Sequence, residues 1–256
     1  MNASEALSRL RELGVPLVTT ADAVAVLKLS VPAASQTLRR LARVGLMVPV
    51  RKGLWAFDRD LDPLLVTESL TAPYPSYVSL QTALHRHGMI SQIPSIIYAV
   101  TLGRDRRVET PFGPYSFHHL PPELFGGWMT PPRSGLKLAT PEKALADYLY
   151  LTPTRTRLFA ALPELELPAS FRVETTRGWL QRIRSPRLRT IAERRLEEIL
   201  REKDRAAGAG AARGRSGGRA RRTTPDAPGP RSPPPTGSGR RRRGPGSRAL
   251  DVPGRR

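Results

Sequence analysis

The feature that most constrains this chain is an abrupt change of composition after Lys203. From residue 204 to the C-terminus there is no aromatic residue, and Leu250 and Val252 are the only large aliphatic ones. A segment of this kind cannot bury enough apolar surface to offset the conformational entropy that is lost on folding. We therefore predict that residues 204–256 form a disordered tail and that the folded part is confined to residues 1–203.

Positive charge is present in both parts of the chain. The whole sequence has 42 lysines and arginines against 22 acidic residues, a formal net charge of +20. The tail holds 14 of these basic and 3 of these acidic residues, which leaves 28 against 19, or +9, for residues 1–203. Nucleic acid is therefore the first partner to expect. The four arginines at 240–243 suit sequence-independent phosphate contacts, although runs of like charge are often simply solvated.

Other parts of the composition exclude whole classes of protein. The chain has no cysteine, so disulfides, thiolate metal ligands and cysteine nucleophiles are ruled out. No apolar run approaches the roughly 20 residues that a membrane span needs, and the N-terminal segment MNASEALSRLREL lacks the apolar core of a signal peptide. We therefore expect a cytoplasmic protein with no membrane partner and no cofactor.

Residues 1–57 have the pattern of a winged helix-turn-helix. Leucines at helical spacing predict a first helix, and the N-cap candidates Thr20 and Ser30 predict a second and a third. The third helix should run from about residue 32 to residue 44 and end at Gly45. In the phrase LMVPVRKGLWAF that follows, alternating apolar residues precede a possible turn at RKG, and a second apolar run follows it. This pattern predicts a β-hairpin.

The third of these helices carries the strongest functional signal. At about 100° per residue, Ala34, Leu38 and Leu41 face one way, and every position on the opposite face is glutamine or arginine. An ordinary solvated face usually mixes charge signs, whereas a basic face on this helix favours base contacts in the DNA major groove. The candidate DNA-binding residues of the helix and of the hairpin tip are Ser35, Gln36, Arg39, Arg40, Arg43, Arg51 and Lys52.

The rest of the folded part predicts a second domain of different composition. Residues 58–73 are acidic at their start and close on Pro73, which is typical of a linker. Between residues 74 and 203, short strand-like runs come first and helices follow. That order favours an α+β domain over an alternating α/β one. The expected fold is therefore α+β, with a winged helix-turn-helix, a mixed α+β domain and a tail.

Several phrases of the sequence resemble those of the AbiEi family of antitoxins. The wing phrase LARVGLMVPVRKGLWAF is followed, in the family's order, by SYVSLQTALHRHGMISQIP, VETPFGPYSFHHLPPELFGG and LATPEKALADYLYL. The last phrase resembles the most specific signature of the family. The resemblance covers about residues 5–200 and leaves the tail outside.

The resemblance implies a type IV toxin–antitoxin system of the abortive-infection kind, which defends bacteria against phage. In that family the winged helix binds inverted repeats in its own promoter and represses transcription. The second domain counteracts a nucleotidyltransferase-like toxin without necessarily forming a stable complex with it. We therefore expect a non-enzymatic regulator whose partners are double-stranded DNA and, functionally, such a toxin.

The ATPEKALAD segment has two readings of its own. Thr140 followed by Pro141 and Glu142 is a strong helix start, which indicates a capped structural helix. The alternative is an antitoxin or interaction surface, for which Lys143 and Asp147 are the candidate residues.

A metal-dependent nuclease of a phage-defence system, targeted by its winged helix, is the alternative from another functional class. It would need clustered carboxylates to hold Mg²⁺, and Asp105, Glu109 and Glu142 are the plausible trio. They lack the pattern of a carboxylate and a lysine two residues apart on one strand that such enzymes use. Two histidine pairs, at 85/87 and 118/119, could in principle join as a zinc site, but His85 and His87 point about 200° apart on the predicted helix, so we predict no metal site.

Overall fold

The computed structural model describes residues 2–132, 135–154 and 165–215. Within these ranges the chain forms eight α-helices and two β-sheets, which confirms the predicted α+β class. The sequence also predicts a helix near residues 155–162, which lie outside the described residues.

In the described residues every strand lies before residue 140, and the regular structure after it is helical. The helices are α1 (Ala3–Arg11), α2 (Thr20–Leu27), α3 (Val31–Arg43), α4 (Thr67–Thr71), α5 (Leu80–Arg86), α6 (Pro141–Leu151), α7 (Val173–Gln181) and α8 (Pro186–Arg215). The strands are β1 (Leu17–Thr19), β2 (Val48–Arg51), β3 (Leu54–Ala56), β4 (Ser76–Val78), β5 (Ile97–Thr101), β6 (Arg106–Thr110), β7 (Gly113–His119), β8 (Trp128–Met129) and β9 (Leu138–Ala139).

Local signals set the ends of the first three helices. The hydroxyl of Ser30 accepts a hydrogen bond from the backbone of α3, as predicted from sequence. The cap of α2 is Thr19 rather than the expected Thr20, because Thr19 and Asp22 form a reciprocal capping box. Thr20 instead accepts a 3.3 Å hydrogen bond from the indole of Trp55 on β3.

A three-stranded sheet completes this N-terminal unit, which we define as residues 1–57. Its strand order is β1-β3-β2, with both pairs antiparallel. β2 and β3 are the predicted hairpin, but β1 was not expected. Three residues are too few to show a strand period, so β1 exists only through its pairing with β3.

The N-terminal unit has its own apolar core. The three residues predicted to face inward from α3, namely Ala34, Leu38 and Leu41, are completely buried. They pack against buried residues of α1 and α2, including Leu10 and Leu27. The period of α3 therefore placed its inner and outer faces correctly.

The second sheet has six strands in the order β6-β7-β5-β4-β9-β8. β5 pairs in parallel with β7 and β4 with β9, whereas the remaining pairs are antiparallel. One face of this sheet is covered by α5 to α8. Tyr77 and Val100, which are paired in register, belong to the largest apolar core of the described residues together with buried residues of these helices.

The opposite face of the sheet packs against the hairpin of the N-terminal unit. Buried residues from the hairpin, from α4 and its preceding turn, and from the neighbouring strands β5 and β7 form one cluster, the hairpin core. Its members are Val48, Val50, Leu54, Ala56, Val66, Leu70, Ala99, Tyr115 and Phe117. Residues 1–212 accordingly form one compact unit.

The segment predicted to be a linker supplies part of the hairpin core. A 3-10 helix at Pro63–Val66 runs directly into α4, and Val66 and Leu70 are completely buried. The acidic start and the prolines of this segment resemble a linker in sequence. However, Val66 and Leu70, one helical turn apart, pack among apolar residues of the hairpin and of the second sheet. Residues 58–73 are therefore not an exposed connector.

The last helix is longer than expected. α8 continues through Arg215, twelve residues into the segment that the sequence assigns to the tail. Alanine and arginine are favourable in helices, and extending a helix that already exists costs little. The remainder of the predicted tail, residues 216–256, lies outside the described residues. None of the helices in the described ranges combines the length with the apolar character that crossing a membrane requires.

Candidate nucleic-acid interface

The outer face of α3 is basic in the C-terminal part of the helix. Gln36, Arg39, Arg40 and Arg43 are all exposed, on the side opposite to the buried Ala34, Leu38 and Leu41. Ser35 is half-buried in the second turn of the helix. The helix contains no acidic residue. The positive charge is therefore concentrated between Arg39 and Arg43, within about one and a half helical turns.

These arginines are not neutralised by neighbours. Among the residues that the structure describes, no carboxylate lies within ion-pair distance of Arg39, Arg40 or Arg43. Their guanidinium groups therefore remain available to an external anion. Because the opposite side of α3 is fixed in the apolar core, the arginines project from a rigid support, as precise recognition requires.

The two predicted residues of the hairpin tip differ in their surroundings. Lys52 is exposed in the turn, next to Gly53, whose positive φ of 82° is the backbone conformation that glycine adopts without strain. Arg51 is also exposed, but its guanidinium donates a 3.1 Å hydrogen bond to the carbonyl of Ser69 in α4. The structure thus directs Arg51 towards α4.

A second arginine, Arg106, also donates to a backbone carbonyl of α4. The guanidinium of Arg106 on β6 donates to the carbonyl of Leu70 and stacks 5.5 Å from the ring centroid of Phe117. Burial, and then the neighbouring Arg51, lower the pKa of Arg106. Two arginines, one from each sheet, therefore satisfy carbonyls at the C-terminal end of α4, where positive charge is favourable.

Lys143 and Asp147 do not lie on a surface. Each side chain is 1% exposed, and the two form an ion pair one turn apart inside α6. The expectation that they could form an interaction surface is wrong for both residues. Buried residues extend around most of α6, because α5 and α7 pack against it.

The buried pair is part of a larger polar network. Asp147 also accepts hydrogen bonds from the hydroxyls of Tyr77, at 3.0 Å, and Ser79, at 2.7 Å. The ammonium of Lys143 lies 4.5 Å from the ring centroid of Trp179, whose other cationic neighbour is Arg182. Burial lowers the pKa of Lys143 and raises that of Asp147, and their mutual attraction opposes both shifts.

There is no room for a substrate at this network. The small void lined by Lys143, Asp147 and Trp179 has no space for even a water-sized molecule. The network therefore connects β4, α6 and α7 through buried polar contacts and does not offer an open site.

The trio considered for a nuclease is not assembled. A carboxylate oxygen of Asp105 accepts from the backbone of His119, and one of Glu142 accepts from the backbone of Arg172. Glu109 lies on β6, opposite Pro114. In the described ranges no group of three or more histidine or acidic side chains is arranged to hold a metal ion.

Sequence reasoning missed the partners of these groups. Tyr77 and Ser79 lie about 70 residues before Asp147, and Arg106 follows Leu70 by 36 residues. No periodicity or local motif connects positions so far apart. The one usable signal was the ATPEKALAD phrase itself, since Lys143 and Asp147 are four residues apart and can pair on one helix face.

Comparisons with known proteins leave the family of this chain open. No family model matches the sequence, and no curated protein matches it. The role of the basic face is therefore inferred from its geometry, its charge and the resemblance of the sequence motifs.

Proposed function

We propose that this chain is a DNA-binding transcriptional repressor whose residues 1–57 form a winged helix-turn-helix. The observation that carries the proposal is the outer face of α3, where Gln36, Arg39, Arg40 and Arg43 are exposed without carboxylate partners among the described residues. The order of α1, β1, α2, α3 and a hairpin, with β1 pairing to β3, also suits this fold.

In this proposal α3 is the recognition helix and enters the major groove. Arginine can donate two hydrogen bonds to guanine O6 and N7, and glutamine can pair with adenine N6 and N7. Ser35 lies nearer the N-terminal end, where a hydroxyl suits a phosphate or a base contact. Lys52 at the hairpin tip contacts the adjacent backbone.

We further propose that the protein is the antitoxin of a type IV toxin–antitoxin operon in the cytoplasm. It would repress its own promoter by binding inverted repeats and counteract a nucleotidyltransferase-like toxin. Support comes from the four motifs in the family's order across residues 5–200. Because Lys143 and Asp147 are buried, the antitoxin surface must lie on other residues of the second domain.

The DNA-binding proposal is tested with the full chain and the DNA upstream of its own gene. We expect the triple variant Arg39→Ala, Arg40→Ala, Arg43→Ala to lose specific binding in a gel-shift assay. Each base-reading arginine should contribute about 1–3 kcal/mol of discrimination. Single variants should then separate base contacts, which relax specificity at one position, from phosphate contacts, which weaken all sequences alike.

A matched control removes the same charge from elsewhere. The triple variant Arg86→Ala, Arg194→Ala, Arg201→Ala changes three exposed arginines outside the N-terminal unit. It should keep the ranking of operator sequences and lose only sequence-independent affinity. Equal loss of specific binding in the two triple variants would contradict the role of α3.

The antitoxin proposal needs a separate test in cells. The chain is expressed together with the nucleotidyltransferase-like protein expected to be encoded beside it, and growth is measured. The α3 triple variant should still restore growth when toxin and antitoxin are expressed from unrelated promoters. Failure of the unaltered chain to restore growth would contradict the antitoxin role, as would Mg²⁺-dependent cleavage of plasmid DNA by the pure protein.

A further inference from the structure

Strand β6 forms one edge of the second sheet. It pairs with β7 and, within the described ranges, with no other strand. Its side chains alternate, because Val108 packs against the hairpin core whereas Arg107 and Glu109 are exposed. An edge strand presents backbone N–H and C=O groups to which a further strand can pair.

Pro114 determines which backbone groups of β6 point outwards. The register places Glu109 opposite Pro114, which has no N–H and so cannot exchange two hydrogen bonds with its partner. In an antiparallel ladder such a pair directs the N–H and C=O groups of the edge residue away from the neighbouring strand. The same holds for Arg107, two residues earlier. Both residues therefore offer a donor and an acceptor at the open edge.

The side-chain charges of β6 are complementary to themselves. An antiparallel second copy of the strand, with Val108 on the two-fold axis, places Arg107 opposite Glu109 of that copy, and Glu109 opposite its Arg107. These are also the two residues whose backbone groups point outwards, so the hydrogen bonds and the charges favour the same register. Moving the axis by one residue would place Arg107 opposite Arg107, or Glu109 opposite Glu109, which is unfavourable.

Both charges remain available to such a partner. Among the residues that the structure describes, neither Arg107 nor Glu109 forms an ion pair, and both side chains are exposed. A second copy can therefore pair with them without breaking an ion pair inside the chain.

We propose that the chain forms a two-fold symmetric dimer by antiparallel pairing of the β6 strands of two copies, centred on Val108. The two second sheets then continue as one, and each copy uses the same surface. A strand of five residues buries little area, so the dimer should be reversible and have a micromolar dissociation constant. The dimer does not require DNA, but under the proposed function its two-fold axis would match inverted repeats.

Sedimentation equilibrium of the full chain without DNA tests this dimer. The unaltered chain should associate reversibly as its concentration rises from about 5 to 500 µM. Arg107→Glu and Glu109→Arg each place like charges opposite one another at both pairs, and each should weaken association about tenfold or more. The matched controls Arg201→Glu and Glu202→Arg reverse exposed charges on α8 and should associate as the unaltered chain does.

A mixture of the two weakened variants distinguishes strand pairing from a folding defect. The Arg107→Glu chain is negative at both positions and the Glu109→Arg chain is positive at both, so the mixed dimer alone pairs opposite charges. Mixing them should restore association to near the level of the unaltered chain. The double variant Arg107→Glu, Glu109→Arg exchanges the two charges and should again associate with itself.

Three results would overturn the proposal. They are a monomer over the whole concentration range, a dimer that neither single variant weakens, and no association when the two variants are mixed. The gel-shift test of the α3 triple variant is a separate measurement, so a failed dimer and a failed DNA-binding role are distinguishable.

Discussion

A lysine and an aspartate one helical turn apart are buried together in the middle of this protein. The Lys143–Asp147 ion pair lies in an apolar environment. Hydrogen bonds from the hydroxyls of Ser79 and Tyr77 to the Asp147 carboxylate stabilise it there. Pairing of this kind contributes little to stability compared with an apolar core, but loss of one partner leaves an uncompensated buried charge.

Asp147→Ala should therefore destabilise the protein strongly. We expect the free energy of unfolding to fall by about 3–5 kcal/mol, since Lys143 is left buried without its partner. Urea denaturation followed by circular dichroism measures the change. The control is Glu5→Ala, which breaks a half-exposed pair of the same spacing with Arg9 and should cost less than about 1 kcal/mol. Similar losses in the two variants would contradict the buried pair.

His118 is a second buried titratable side chain. It is 1% exposed on β7, where a ring nitrogen lies 3.0 Å from the hydroxyl of Ser116. Burial, and then the charge of Arg107, lower the pKa of His118 from 6.5 to about 4. Between these two pH values the unfolded chain binds more protons at this position than the folded chain does, so stability rises with pH.

The stability that His118 contributes should thus be complete above about pH 6.5 and be lost as the pH falls towards 4. The free energy of unfolding should decrease across this window by up to about 3 kcal/mol from this group. Urea denaturation at a series of pH values measures it, and His118→Gln should flatten the curve. A slope that is equally steep in the variant would show that other groups cause it.

At the scale of elements, α3 and the hairpin are anchored in different cores. α3 packs on α1 and α2, whereas the inner face of the hairpin packs against α4 and the second sheet. The bonds from Arg51 to Ser69 and from Arg106 to Leu70 reinforce the second attachment. In the proposed DNA-binding role, the second sheet therefore sets the position of the hairpin tip relative to α3.

Neighbouring basic residues of the hairpin should consequently behave differently. Arg51→Ala removes the hydrogen bond to Ser69, and since this bond is exposed, the free energy of unfolding should fall by only about 1 kcal/mol. The salt dependence of DNA binding should change little. Lys52→Ala should leave stability unchanged and reduce the salt slope by about 0.9, the value of one phosphate contact. Thermal melts and gel shifts at several salt concentrations measure both, and the reverse pattern would contradict the placement of Arg51.

At the scale of the whole molecule, the second sheet is covered on both faces. α5 to α8 cover one face, and the hairpin with α4 covers the other. The N-terminal unit is therefore part of the packing of the second domain, even though its helices have a core of their own. Selective loss of DNA binding is better achieved by changing the outer face of α3 than by truncation.

A chain that begins at Tyr74 should not fold stably. It lacks Val66, Leu70 and the whole hairpin, so Ala99, Tyr115 and Phe117 would be left facing water. We expect such a chain to aggregate or to bind a hydrophobic dye, and to melt without a cooperative transition. The α3 triple variant should melt as the unaltered chain does. A cooperative melt of the truncated chain would show that the second sheet is stable without its cover.

Much of the local structure was predictable from the sequence. The cap at Ser30, the end of α3 near Gly45 and the inward position of Leu38 follow from propensity and from a period of 3.6 residues. The basic outer face of α3 follows from the same period. These features depend on residues within one or two turns of each other, which is the range over which sequence patterns are informative.

Tertiary structure alone decided which polar and linker-like residues are buried. Lys143 and Asp147 are surface candidates by sequence because charge favours water. In the structure α5 and α7 bury them, and hydrogen bonds from Tyr77 and Ser79 to Asp147 offset part of the cost of removing water. Residues 58–73 read as a linker, but Val66 and Leu70 meet apolar partners that lie far away in sequence. Burial is a property of packing between distant segments, and no local pattern in those segments specifies which of them will meet.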